Sequence, residues 1–162
     1  MRDDARTITV TERPEVPALA LVFGFGPMVP LVVGAAAAWW WRGETGEAIL
    51  ALTVLWGCAI LLFLSGVRRG LSFRTEGGET LAQIATMLAL FGLGFLAFVA
   101  VFVGRSSAAL ILLMIGFTGI ALFDPPAARR GEAPLFMARL RPLQMPIAVL
   151  SLGALLALKL VG

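Results

Sequence analysis

The sequence predicts an all-α fold, a five-transmembrane-helix bundle with a cytoplasmic N-terminus and a C-terminus on the opposite side. Three observations carry that prediction. First, the stretches 17–41, 48–67, 81–103, 106–123 and 143–161 are almost wholly apolar over about 18 to 25 residues each. At about 1.5 Å per residue, a helix of that length crosses a hydrocarbon layer about 30 Å thick. Second, hydrophobic residues make up 59% of the 162-residue chain and charged residues 14%, against about 45–50% and about 25% in soluble domains. The mean hydropathy of +0.93 calls for more interior than one soluble domain of this size encloses. Third, the positive charges are sided. Arg2, Arg6, Arg13, Arg68, Arg69, Arg74, Arg129, Arg130, Arg139 and Arg141 fall on one face of a five-span chain, and Arg42, Arg105 and Lys159 on the other. Short loops rich in arginine stay on the cytoplasmic side, which sets the orientation.

Residues 1–16 read as a charged tail and 17–161 as one membrane domain. The first apolar stretch is too long for a secretory leader and lacks its small-residue cleavage site, so it is read as a retained helix. Its GFGPMVP segment holds Pro27 and Pro30, each lacking an amide donor, and a kink is expected there. Trp39, Trp40 and Trp41 close the span at the headgroup level that indoles favour. A turn over 42–47 leads to the second span, which runs out into Arg68 and Arg69. Gly104 and Arg105 leave room only for a tight hairpin between spans three and four, making those helices antiparallel neighbours. Asp124-Pro125-Pro126 is expected to stop the fourth helix. Residues 134–141 are expected to form about two turns lying in the interface, apolar side down. Pro142 and Pro146 fit the opening of the last helix.

Composition narrows the chemistry. Histidine and tyrosine are absent, which removes the commonest metal ligand and proton carrier. Cys58 is the single cysteine, so neither an internal disulfide nor a thiolate cage forms, and mid-span its thiol is expected to be inert. No metal and no cofactor is expected. A net charge of +3 and a pI near 10.4 suit an arginine rim facing anionic lipid headgroups rather than nucleic acid. No ionisable residue falls at the centre of a predicted span, which argues against an ion-coupled pump. There is no phosphate loop, paired intramembrane carboxylate or activated serine, so an enzyme is not expected.

The candidate binding residues are Arg68, Arg69, Arg139 and Arg141, whose planar donors suit a lipid phosphate or a partner carboxylate, and Asp124. The alternative for the arginines is to anchor topology by snorkelling to headgroups. Asp124 is expected to pair with Arg68, Arg139 or Arg141. Gly66 and Gly70 are spaced for close helix packing, as are Ala20 with Gly24 and Gly153 with Ala157, within the chain or against a partner. Thr53, Gln83, Thr86 and Thr118 are expected to bond to neighbouring helices or to their own backbone. They, or a polar lining around Trp56, are the alternative site for a small ligand. The Trp56 indole needs a hydrogen-bond partner.

GFGPMVP, WGCAILLFLSGVRRGLSF, Asp124 and APLFMARLRPLQMPIAVLSL, in that order over about residues 16 to 160, resemble the transmembrane-protein-69-like family. That domain-of-unknown-function family comprises small five-helix proteins of bacteria and mitochondria. Phe63, Gly66, Gly70, Asp124, Arg139 and Arg141 match its pattern. Arg68-Arg69 stands where the family carries a His-Trp pair, which favours a structural or binding role here. The resemblance implies a five-helix membrane fold and no particular activity. Arginine outnumbers lysine twelve to one, which fits a bacterial inner membrane. The expected function is that of a non-catalytic accessory or assembly subunit of a larger membrane complex, an energy-transducing one first. Its partners would be anionic lipids and other membrane subunits. The alternative is a binder or facilitator of lipid, quinone or another uncharged small molecule.

Overall fold

Six α-helices form, and no strand occurs among the described residues, 16–73 and 78–161 of the computed structural model. The helices are α1 (Ala18–Phe25), α2 (Val29–Trp40), α3 (Glu44–Ser72), α4 (Leu81–Phe102), α5 (Ser106–Arg129) and α6 (Leu135–Val161), with a 3₁₀ turn over Gly26–Met28 joining α1 to α2. Counting Ala18–Trp40 as one broken helix, five segments are long and apolar enough to cross a membrane. The expected charged tail, with Arg2, Arg6 and Arg13, and Arg74 of the second loop lie outside the described residues.

Each helix from α2 to α6 packs on the next, and α6 returns to α2, closing a circuit of five with α3 also touching α5 across its middle. Two bonds give the sense of the closure. Gln144, near the start of α6, donates to the carbonyl of Gly24 in α1. Trp39, near the end of α2, donates to Ala154 near the end of α6. The first and last helices therefore run parallel, while sequence neighbours run antiparallel. The expected hairpin between α4 and α5 is present: Gly104 adopts a φ of +76°, and the Arg105 amide donates to Ala100 at 2.7 Å.

Leu31, Val54, Leu61, Leu110, Leu113, Phe117, Leu152 and Leu155 are fully buried along the bundle axis. The outward faces are apolar as well: only 17% of the most hydrophobic window of α4 is buried, and Leu81, Leu88, Phe91, Phe95 and Phe102 stand exposed on it. A surface of that kind matches lipid, not water. Because lipid tails are as apolar as leucine, helix association in such a bundle relies on close packing. Gly116 is pressed against Leu61, Gly57 against Leu113, and Gly34 against Thr53.

Several expectations about boundaries and packing are corrected. The kink in GFGPMVP takes the form of the 3₁₀ turn, with Pro27 inside it. The third helix starts at Glu44 and runs to Ser72, several residues beyond the apolar stretch at both ends, because helix continues wherever its backbone bonds can. Asp124-Pro125-Pro126 does not stop the fourth helix; both prolines lie within α5. Proline's φ is itself helical, and only the bonds to the carbonyls four residues back are lost. Asp124 is held in register by ion pairs to two neighbouring helices. The segment over 134–141 is not a separate interfacial piece but the first turns of α6, so Pro142 and Pro146 sit inside that helix rather than at its opening. Gly66 and Gly70 are not helix contacts within the chain: a Cβ at either meets nothing within 4 Å.

Candidate functional site

The boundary corrections bring three charges into helices. Arg68 lies one turn before the end of α3, Asp124 within the last turns of α5, and Arg141 seven residues into α6. The directions of the helices put all three at the same end of the bundle. Arg68 Nη2 lies 2.5 Å from Asp124 Oδ1, and Arg141 Nε lies 3.2 Å from Asp124 Oδ2. The side chains of Arg68, Asp124 and Arg141 are 16%, 11% and 9% exposed, so the cluster is largely shielded from its surroundings. Shielding is costly for a charge unless it is paired. Asp124 accepts from one guanidinium and is offset from the other: Arg141 Nε is buried and has no hydrogen-bond partner, its N–H pointing off the line to Oδ2.

From Arg141 the chain of contacts continues inward. Arg141 Nη1 donates to Gln144 Oε1 at 2.9 Å, and Gln144 Nε2 donates to the Gly24 carbonyl at 2.5 Å. The sequence explains why that carbonyl accepts from a side chain. In a 3₁₀ turn the acceptor's amide lies three residues on, and three residues after Gly24 stands Pro27, which has none. The same holds for Pro27, followed by Pro30; its carbonyl accepts from Trp56 Nε1 at 2.9 Å. The two prolines thus free two carbonyls, and α6 and α3 each supply a donor. The expected partner of the Trp56 indole is found, although Trp56 is 42% exposed and is not a core residue.

The break at Gly26–Met28 leaves a groove of about 430 Å³ between α1, α3 and α6. Phe23, Trp56, Ala59, Phe63 and Leu140 make its walls apolar, and Arg141 and Gln144 are its polar lining residues. Its volume falls within the range of about 300–1,000 Å³ typical of small-molecule sites. A smaller void of about 30 Å³, lined by Arg68, Gln83, Asp124, Glu132 and Arg141, abuts the other side of the cluster. Arg141 lines both.

The remaining candidates lie elsewhere. Arg69 turns toward the α3–α4 loop, pairing with Glu79 while its guanidinium sits 4.2 Å from the centre of the Phe73 ring. Arg139 is exposed and is not one of Asp124's partners. The four arginines therefore do not form one site; Arg68 and Arg141 do, with Asp124 between them. Gln83 caps α4 rather than lining a span, exchanging bonds with Thr80 in a capping box. Thr53 and Thr86 bond to their own helix backbone, as expected. At the opposite end of the bundle, Lys159 pairs with Glu47 at 3.0 Å and Arg42 lies 5.6 Å from the Trp39 ring. Such exposed pairs contribute about 0–1 kcal/mol. No group of three or more His, Cys, Asp or Glu comes together among the described residues.

Sequence reasoning missed Gln144 and located the groove only in part: Trp56 lines it, whereas Thr53 and Gln83 do not. Gln144 was visible as the one amide in the last apolar stretch, three residues after Arg141 and so on the same helix face. Apart from Trp56, the groove left no such sign, because the rest of its apolar lining is ordinary span residues.

Fold and site together define a multi-span helical bundle in which a shielded ion cluster adjoins an apolar groove. No family model matches the chain, no curated protein matches it, and no solved structure matches it.

Proposed function

We propose that this protein is a non-catalytic integral membrane protein that holds an amphiphile, a lipid or a quinone-like molecule, in the groove between α1, α3 and α6. The observation that carries the reading is the groove itself. It is apolar along its length, it is lined by Arg141 and Gln144, and it opens on the lipid-facing side of the bundle through exposed Trp56 and Phe63. A hydrocarbon chain gains contacts there, and a headgroup meets donors. The arginine distribution supports a bacterial inner membrane with the N-terminus and the ion cluster on the cytoplasmic side.

The test is to fill the groove. Ala59 is exposed and lines it, so Ala59→Trp adds bulk where a chain would lie without touching the core. Native mass spectrometry in mild detergent should find the wild-type chain carrying a fixed extra mass that Ala59→Trp lacks at equal thermal stability. A wild-type chain without added mass, or a variant that keeps it, would remove the reading.

Gly66 and Gly70 favour a second reading, as an accessory or assembly subunit of a larger, energy-transducing membrane complex. Both face outward from α3 with nothing near them, a spacing against which a partner helix could close. Gly66→Leu should leave the isolated chain folded, neutral to stabilised by up to about 1 kcal/mol, yet release it from a co-purifying assembly. Unchanged co-purification would count against that face.

A further inference from the structure

We propose that the Arg68–Asp124–Arg141 cluster is the headgroup site of the groove, and that it selects a singly charged oxyanion, phosphodiester or carboxylate, carried on a hydrocarbon chain. The inference rests on the amphiphile reading and adds the charge of the ligand. Two guanidinium groups and one carboxylate leave a single net positive charge on side chains no more than 16% exposed. Glu132 lines the adjoining void, but its carboxylate is already matched by Arg130 at 2.7 Å. Arg69 is matched by Glu79. Among the described residues, the cluster's excess charge therefore has no counter-ion that is not already matched elsewhere.

Geometry points the same way. Arg141 is 7% exposed, its Nε is buried without a hydrogen-bond partner, and it borders the groove that would hold the chain. Asp124 Oδ2 lies 3.2 Å from that Nε but off the line of the N–H, and a buried donor so poorly met gains most from a well-aligned ionised acceptor. Gln144 is not that acceptor for Nε: its oxygen takes its bond from Nη1 and its amide donates to Gly24. An oxyanion brings both the acceptor and the missing charge. A neutral headgroup brings at most the acceptor.

The experiment titrates the full-length chain in neutral detergent and reads bound ligand by native mass spectrometry. The probes are phosphatidylglycerol, palmitate, phosphatidylcholine and inorganic phosphate. Wild type should bind the two anionic amphiphiles about tenfold or more tighter than phosphatidylcholine, the factor expected of one charge-assisted bond. Inorganic phosphate should bind far more weakly, since it cannot use the groove. Arg141→Gln brings the cluster to neutrality and should reduce the anionic preference to about unity, weakening phosphatidylglycerol and palmitate more than phosphatidylcholine, whose phosphodiester is offset by its own ammonium. Arg68→Gln removes the same charge from a more exposed position and should do likewise, so a folding defect in one variant leaves the other to decide. Equal binding of anionic and zwitterionic lipid by wild type, or a preference that survives both substitutions, overturns the headgroup assignment. Phosphate binding as tightly as phosphatidylglycerol overturns the amphiphile part. Ala59→Trp separates the two levels: if it abolishes binding of all three amphiphiles while wild type shows no charge preference, the groove stands and the headgroup site falls.

Discussion

Replacing Asp124 by Asn should destabilise the folded chain by about 3–5 kcal/mol, the cost of leaving buried charges uncompensated when their partner is removed. Among the described residues, Asp124 is the carboxylate that pairs with both Arg68 and Arg141, and its removal leaves two guanidinium groups facing each other with little access to water. The pair is not necessarily a net source of stability, since shielding three charges has its own cost. The loss on breaking it is nonetheless large. It also acts on three helices at once, because α3, α5 and α6 meet through this side chain. Unfolding by titrated denaturing detergent, followed by helical circular dichroism, measures the effect, with Asp124→Glu as the variant that keeps the charge. A loss below about 1 kcal/mol for Asp124→Asn would mean that the arginines are well hydrated and the cluster is not shielded.

The second large effect is expected at the opposite end of the bundle. A Cβ on Gly46 would run into the backbone carbonyl of Trp41, where the chain turns from α2 into α3. A side-chain neighbour could rotate away; a carbonyl fixed between two packed helices cannot. Gly46→Ala should therefore cost about 1–3 kcal/mol, as overpacking does, and separate the start of α3 from the end of α2. The Lys159–Glu47 pair one residue on would shift with it. Gly66→Ala, in the same helix but where a Cβ meets nothing, is the matched control and should be neutral to stabilising by up to about 1 kcal/mol in the same unfolding assay. Equal stability of the two variants would show that the turn relaxes without cost.

The two expectations differ in how far the sequence foreshadowed them. Asp124 stood out because a carboxylate beside two prolines at the edge of an apolar stretch is unusual, and its pairing with an arginine was foreseeable. Its place inside a helix was not. The rule that a residue before proline leaves the helical region describes a local preference of a fraction of the energy at stake, and two ion pairs outweigh it. Arg141 likewise reads as a loop residue from sequence, so its pairing with Asp124 is foreseeable but its place inside a helix, and the joining of both arginines to one carboxylate, is not. Gly46 carried no signal at all, since a glycine near a turn reads as a turn residue.

The glycines make the point more generally. Gly66 and Gly70 have the spacing of a helix contact and touch nothing, whereas Gly34, Gly57 and Gly116, with no marked spacing, are where helices close on one another. Spacing along one helix says which residues share a face. It does not say which neighbour that face meets.

What was legible from the residues alone was the helical, membrane-spanning class, the number of segments and the hairpin at Gly104–Arg105. These depend on local quantities: the length of an apolar run, the need of a backbone in lipid to bond to itself, and the reach of a two-residue link. The site was decided by tertiary structure. Arg68 and Asp124 are 56 residues apart, Gln144 and Gly24 are 120 apart, and their meeting depends on α6 closing the circuit beside α1 and α2. The groove depends on the angle that the 3₁₀ turn sets between α1 and α2. Such contacts follow from how five helices share one volume, and no single stretch of sequence encodes that.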